Sequence, residues 1–437
     1  MSTTLYWFRN DLRLHDNPAL AQAIAQSDAL LPVYCLGSAS AMHNGDPRWG
    51  AMQASQHRQR VLLDSLIDLD AQLRALGSAL TVVPGPPADI LPKLGAALDT
   101  RVLHCETIVA SHEQEEVRQL GLAGMAVSST WQSSLYAPEA LPFDVSDLPP
   151  VYARFRQLLA KAHTQQAAPL SVPAQLPPLP KAVHGYATVN LAQQLQHLGT
   201  LAPEPRASVP YLEGAFAGGE RAALAHLARY FASDLPPNYK ATRNGLTGTA
   251  FSSKCSMWLA SGALSVRQLA AEIDRFDARV GPNEGTEWLR LELLWRDYFR
   301  FLHLQHGAKL FRYRGLRDKV APLHHDPAQF TLWSLGRTPE PLVNAAMREL
   351  LATGYMSNRL RQVVASYLIH ELRGDWRAGA AWFEAQLIDY DVYNNQGNWL
   401  YIAGMGTDPR GGRRFNVQKQ AHDYDPDQSY QRLWQQV

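Results

Sequence analysis

The feature that most constrains the fold is a change of period along the chain. Through about the first 130 of 437 residues, short apolar or β-branched runs alternate with longer helical stretches, and Leu5–Phe8, Leu30–Leu36, Leu80–Val83, Val102–His104 and Met125–Ser128 predict strands. That alternation is the pattern of a parallel α/β sheet, because parallel strands need a crossover and the crossover is usually a helix. Beyond Tyr211 the strand signals vanish and helical periodicity takes over, as in Glu287–His303 and Pro341–Thr353. Between the two halves, Pro138 to Pro210 holds 12 of the 28 prolines, residues without the amide donor that helices and central strands need. One short helix is predicted there, over Tyr152–His163. The expected organisation is a Rossmann-like parallel α/β domain at 1–133, a Pro-rich inter-domain connection at 134–210 and an all-helical domain at 211–437.

Apolar residues make up 46% of the chain and charged residues 19%, a mix that buries a core and argues against disorder. The longest apolar stretches, such as Ala29 to Gly37, fall short of the roughly 18 residues a membrane helix needs. The first residues carry no basic-then-apolar targeting pattern. No membrane association and a cytoplasmic location are expected. Cys35, Cys105 and Cys255 are too few and too widely spaced for a disulfide framework or a cysteine zinc site, and reduced, buried thiols are predicted. The net charge of +1 exerts no long-range pull on a polyanion, so any nucleic-acid surface has to be local. Between Thr286 and Val320 eight basic residues meet four acidic ones, a patch that a solvated helix face explains equally well.

After the first predicted strand comes Arg9-Asn10-Asp11-Leu12-Arg13-Leu14-His15-Asp16-Asn17-Pro18, where Asp16 or Asn17 caps a helix starting at Pro18. It has no glycine fingerprint, so a pyrophosphate is not expected at this turn. Four clusters in the second half carry the candidate chemistry. Glu292, Trp295 and Arg296 share one helix face at offsets of three and four. They form either an ion pair beside a core Trp or, around a cavity, an aromatic plate for a flat ligand with Glu292 on its polar edge and Arg296 on a phosphate. Met356-Ser357-Asn358-Arg359-Leu360-Arg361-Gln362 sets four large polar side chains ahead of an apolar run, more than capping by Ser357 or Asn358 needs. Asp389 and Asp391 follow an apolar helix end, where the macrodipole disfavours acids, so a buried cationic or donor partner is expected, with Arg361 the candidate. Tyr239 to Arg243 and Ser252-Ser253-Lys254-Cys255-Ser256 offer hydroxyls and amides ahead of a helix, which suits a phosphate as well as simple capping. No metal, Ser-His-Asp or P-loop constellation competes with these.

Together these residues resemble the photolyase and cryptochrome family over nearly the whole chain. Trp7-Phe8-Arg9-Asn10-Asp11-Leu12-Arg13-Leu14 looks like the family's opening motif. Tyr239-Lys240-Ala241-Thr242-Arg243-Asn244-Gly245-Leu246, Met356-Ser357-Asn358-Arg359, Asp389-Tyr390-Asp391-Val392, and Lys419-Gln420 followed by Asp423-Tyr424-Asp425-Pro426 are similar to its DASH cryptochrome branch. Gln362, where double-strand photolyases usually carry Met, and Tyr401, where they usually carry Trp, favour the same branch. The resemblance implies an all-helical FAD-binding domain holding a non-covalent, U-shaped FAD. Ser252, Ser253 and Ser256 would meet its diphosphate, with Tyr239, Lys254 and Cys255 nearby. Arg361 and Asp389 would form a salt bridge beside the ring, Tyr390 lies in the same motif, and Asp391 would contact the ring or ribityl edge. Asn395 would face N5, where a neutral amide carbonyl accepts a proton without adding charge.

The resemblance also implies a deoxyribodipyrimidine photo-lyase: a cyclobutane pyrimidine dimer, flipped out of single-stranded DNA over the flavin, is split by an electron that light drives from the reduced cofactor. Glu292 would hydrogen-bond the base carbonyl that gains charge, and Trp295 would stack on the lesion. Arg243, Arg296, Asn358, Arg359, Gln362, Tyr401 and Gln420 would hold backbone or lesion edges. RNA and duplex DNA with looped lesions are further candidate partners, and a monomer is expected. Trp376 and Trp399 match the inner two of the family's three photoreduction tryptophans; the outermost position holds Leu323, so Trp333, Tyr355, Tyr401 or a direct reductant would stand in. A methenyltetrahydrofolate antenna would sit at the domain interface, where His112-Glu113-Gln114-Glu115-Glu116 carries acids that suit a pterin and equally an exposed helix face. Two other functions stay open. One is a blue-light photoreceptor that signals through nucleic-acid or protein binding without turnover, against which the end at Val437 is expected to leave no signalling tail. The other is a plain FAD-dependent redox enzyme, for which no nicotinamide fingerprint is found.

Overall fold

Five strands form where the alternation expects them in the computed structural model, which describes residues 2–37, 49, 53–181, 187–318, 320, 324–409 and 411–435. The order is β1 (Thr3–Phe8), α1 (Pro18–Ala25), β2 (Ala29–Cys35), α2 (Gln56–Ala75), β3 (Thr81–Val83), α3 (Pro87–Ala97), β4 (Val102–Glu106), α4 (Ser111–Leu122) and β5 (Ala126–Thr130). All pairings are parallel, in the spatial order β3-β2-β1-β4-β5. On one face Leu5, Trp7, Leu31, Val33 and Leu103 pack with Leu91 and Leu94 of α3 and Leu120 of α4. On the other, Tyr6, Phe8, Leu30 and Tyr34 pack with Leu20 of α1 and Leu66, Leu69 and Leu73 of α2. Burial on both faces is why these strands read as unbroken apolar runs.

Strand order reverses between β1 and β4, and the loop after β1 docks the second half of the chain there. Asp16, at φ +48°, receives Arg267 through bonds of 2.9 and 2.8 Å and also accepts from Ser265. Arg13 donates to the Gly262 carbonyl at 2.9 Å, and Glu220 accepts the amides of Leu14 and His15 at 2.8 and 2.9 Å. Gly262, at φ +69°, lies so close that a Cβ would collide with the Asn10 carbonyl oxygen. The helix cap falls to Asn17: its Oδ1 accepts the Leu20 amide at 3.1 Å and the Tyr6 hydroxyl at 2.8 Å. Asn17→Ala removes both bonds and should lower stability by about 1–2 kcal/mol in urea unfolding; an unchanged midpoint would contradict this role.

The Pro-rich stretch contains α5 (Tyr152–Lys161) and α6 (Leu191–His197) and returns to the sheet, where the Leu30 amide donates to the Pro178 carbonyl and the Val189 amide to the Val82 carbonyl. The rest is helical: α7 (Glu220–Phe231), α8 (Leu235–Thr242), α9 (Ser256–Ser261), α10 (Val266–Val280), α11 (Glu284–His306), α12 (Pro327–Ser334), α13 (Pro341–Thr353), α14 (Asn358–Ser366), α15 (Trp376–Gln386), α16 (Val392–Ala403), α17 (Val417–Tyr424) and α18 (Ser429–Leu433). A capping box between Asn283 and Thr286 starts α11. Among the described residues no helix is long and apolar enough to cross a membrane.

Candidate cofactor and nucleic-acid site

A cavity of about 400 Å³ opens among α8, α9, α11, α14, α15 and α16. The α11 face gives it Glu292, Trp295, Arg296 and Phe299, at offsets of three, four and seven, which is one side of a 3.6-residue helix. Ser252 and Ser256 line it beside Tyr239, and α14 contributes Asn358, Arg361 and Gln362. Asp389, Tyr390, Asp391, Asn395, Trp399 and Tyr401 close the side formed by α16 and the turn before it. Helical register and tertiary packing thus bring two of the four sequence clusters whole, and parts of the other two, around one space.

The two acids after α15 have different cations. Arg361 donates to Asp389 Oδ2 at 2.9 Å and, through Nε, to the Met356 carbonyl at 3.0 Å. Asp391 pairs with Arg300, one turn beyond Arg296, at 2.9 Å, and its Oδ1 accepts the Asn394 amide at 2.8 Å as the cap of α16. Burial alone would raise the Asp391 carboxyl; Arg300 and Arg296 outweigh it and hold the group below the usual carboxylate range. Both Asp391 oxygens are therefore engaged by the protein, and the expected contact to a ring or ribityl edge has to share them. Asn395 donates its amide to the Ala380 carbonyl at 3.0 Å, which leaves its Oδ1 as the group it can offer the cavity. Trp399 meets Trp333 edge-on at 6.4 Å, and Trp333 is fully buried with its indole N–H on the Val364 carbonyl. Trp376 sits outside the cavity lining, buried, with its N–H on the Tyr313 carbonyl at 3.0 Å. Leu323 lies outside the described residues.

Several expected contacts turn the other way. Arg296 is 8% exposed and donates to the carbonyls of Ser133 and Leu259, so it braces the cavity wall from within and is not at the mouth for a phosphate. Ser253, Lys254 and Cys255 do not line the cavity. Ser252 and Lys254 have φ of +58° and +57°, and the kinked backbone sends Lys254 into the core, its Nζ 3.0 Å from the centre of the Phe251 ring, with burial pushing the ammonium far below its usual value. The Cys255 thiol, raised to about 12 by burial, donates to the Ser253 carbonyl, which also accepts from His226. Arg359 stands behind the lining, bonded to Gln362 at 3.0 Å and Asn244 at 3.2 Å. Gln420 is 9% exposed with a buried, unpartnered Oε1, which removes it from any docking surface in this state.

Other functional contacts had no local sequence signal. Tyr152, at the start of α5, stacks on Trp295 with ring centres 3.7 Å apart and planes 13° apart, and its hydroxyl donates to the Leu291 carbonyl. The two rings are 143 positions apart in sequence, and only the fold joins them. Tyr401 faces Trp295 at 6.3 Å and 72°, with Arg413 on its hydroxyl. Arg300 was detectable, since it extends the Glu292–Arg296 face by one more turn.

In the 112–116 segment, Glu113 is buried with its carboxyl raised to about 7 by burial, Glu116 meets Arg9 at 3.4 Å, and Glu115 faces solvent in a pair with Arg118. Nearby, at the end of β4, burial followed by the neighbouring Asp11 pushes the Glu106 carboxyl from 4.5 to about 8. The folded chain therefore keeps a proton that the unfolded chain loses, so this group's contribution is complete below about pH 4.5 and is lost as the pH rises towards 8. Glu106→Gln should melt like the wild type at pH 5 and gain relative to it at pH 8; parallel melting curves at both values would contradict this.

An FAD needs hydrogen-bond donors for its phosphates and a mixed donor and acceptor edge for its ring. Ser252, Ser256 and Tyr239 supply the first on the α9 side, and Arg361 and Asn395 the second among α14 and α16. Asp389 Oδ1 is buried without a partner, an acceptor matched to an N–H donor. The residues fit the group.

Comparison with known proteins points the same way. Residues 4–177 match the family described as DNA photolyase, and residues 288–436 match the FAD binding domain of DNA photolyase. Cryptochrome DASH of Gloeobacter violaceus is 42% identical over 99% of this chain and 85% of its own length, and that of Synechocystis sp. is 40% identical over 99% and 87%. Among solved structures, a Synechocystis sp. cryptochrome superposes with a TM-score of 0.91 at 39% identity, covering 99% of this chain and 88% of that one. A class III photolyase from Agrobacterium tumefaciens gives 0.81 at 26% identity, over 99% and 86%. The chain belongs to the photolyase and cryptochrome family, on its DASH cryptochrome branch, and its C-terminal helices are an FAD-binding domain.

Proposed function

We propose that the protein is a light-driven lyase that splits cyclobutane pyrimidine dimers, with single-stranded DNA as the preferred substrate. The observation that carries this reading is that Glu292, Trp295 and Tyr401 line the same cavity as Arg361, Asp389 and Asn395. Reduced FAD, when bound, supplies the electron that light transfers to the dimer and recovers it after the ring opens. The chain's own residues do the rest. Ser252, Ser256 and Tyr239 bind the phosphates, Arg361 and Asp389 hold the ring edge, and Asn395 Oδ1 accepts a ring N–H without bringing charge. Trp295 and Tyr401 form an aromatic wall on which the flipped bases rest. Glu292, whose Oε1 accepts N–H donors from Trp288 and Arg243 in the free protein, would accept the imide N–H of a pyrimidine next to the base carbonyl. Trp399, with Trp333 edge-on beside it, would relay an electron inward to the cavity.

Flipping a base out of a duplex costs a few kcal/mol that a single strand does not require. A net charge of +1 adds little long-range attraction to offset it, which is the physical ground for the single-strand preference. The test is to irradiate the reduced holoprotein with blue light in the presence of a dimer-containing oligonucleotide, single-stranded or in a duplex, and count intact dimers by chromatography. Dimers should disappear only in the light and faster from the single strand. Dimers that persist under saturating light would overturn the reading.

A further inference from the structure

Glu292 is already engaged in the free protein. Its Oε1 accepts the indole N–H of Trp288, one turn earlier in α11, at 3.1 Å, and the guanidinium of Arg243, just past α8. The Arg243 guanidinium also lies over the Trp288 ring at 5.1 Å, and Lys240 approaches the same ring at 5.4 Å while pairing with Glu284 at 3.1 Å. The two cations on this side of the cavity therefore each have an acid of α11 as partner, and both share one aromatic plate. Arg243 and Glu292 line the cavity and remain partly accessible, at 19% and 32% side-chain exposure.

A phosphodiester that recruits Arg243 must take it from Glu292. A strand that offers only phosphates then exchanges one ion pair for another and leaves a carboxylate beside its own negative backbone. A strand that also inserts a base gives Glu292 an imide N–H in place of the guanidinium. We propose that the Arg243–Glu292 pair, positioned by Trp288, is a specificity device: it screens Arg243 from undamaged strands and releases it to the backbone when a base occupies the cavity. The proposal rests on the preceding reading, that a single strand crosses this mouth. It assigns Glu292 a second role, against the wrong ligand, beyond contact with the right one.

The test is fluorescence anisotropy of holoprotein with undamaged and dimer-containing single-stranded oligonucleotides across a salt series. Glu292→Gln should bind the undamaged strand several-fold more tightly, with a log–log salt slope steeper by about 0.7, the value for one more phosphate neutralised on a single strand. In an Arg243→Gln background the same substitution should leave the slope unchanged. The wild type alone gives a second reading: its slope for the dimer-containing strand should exceed that for the undamaged strand by the same amount. Equal slopes for wild type and Glu292→Gln, or an equal steepening without Arg243, would overturn the screening role while leaving the lyase reading intact. Failure of the wild type to bind either strand would instead remove the reading on which it stands.

Discussion

Arg361→Leu is expected to yield protein that folds but purifies with little flavin. Asp389 has a side chain only 2% exposed, and Arg361 Nη2 is its partner at 2.9 Å. Removing the cation leaves a buried carboxylate uncompensated, a loss of about 3–5 kcal/mol for a fully buried pair. The Arg361 side chain is 21% exposed, so the lower end applies, and flavin affinity should fall by about 10²-fold. The loss falls on the cofactor because both residues line its cavity. The ratio of flavin to protein absorbance after gel filtration measures it. Arg361→Lys, which keeps the charge but not the forked geometry that also reaches Met356, should retain part of the flavin. A full complement of flavin in Arg361→Leu would show that the ion pair does not organise the site.

Trp295→Ala should leave flavin content near normal and weaken binding of a dimer-containing single strand by about 10- to 100-fold, the equivalent of one lost base–aromatic stack. One face of Trp295 is covered by Tyr152, stacked at 3.7 Å, which leaves the other for the cavity. The undamaged strand, which places no base there, should change little. Anisotropy titrations with both strands separate the two effects, and an equal loss for both would mean that Trp295 supports the surface generally and does not hold the lesion.

Much of the fold was legible because its signals are local. The inner strands, buried on both faces, leave unbroken apolar runs, and Asn17 with Pro18 marks a helix start whatever surrounds it. The α11 face was legible for the same reason, since offsets of three and four are a property of the helix itself. The Arg361–Asp389 pair followed from an electrostatic argument: acids after an apolar helix end need a cationic or donor partner, and Arg361 was the candidate, although Asp391 takes Arg300 instead. What stayed hidden depends on tertiary placement. Arg296 and Arg300 share the Glu292 face, yet one bonds main-chain carbonyls and the other Asp391, and nothing within α11 distinguishes them. Ser253, Lys254 and Cys255 looked like a continuous phosphate cradle until the left-handed backbone at Ser252 and Lys254 turned the middle of the run into the core. Tyr152 behind Trp295 required the Pro-rich connection to fold back across α11, which proline content alone does not say.

The proposed lyase requires the lesion and the flavin to share one cavity, and an absorption difference spectrum tests this most directly. Adding a dimer-containing single strand to the holoprotein in the dark should shift the flavin's blue band, saturating as the strand binds, while an undamaged strand bound to the same extent leaves the band in place. A band that stays fixed while anisotropy reports the dimer strand fully bound would place the strand elsewhere and contradict the site.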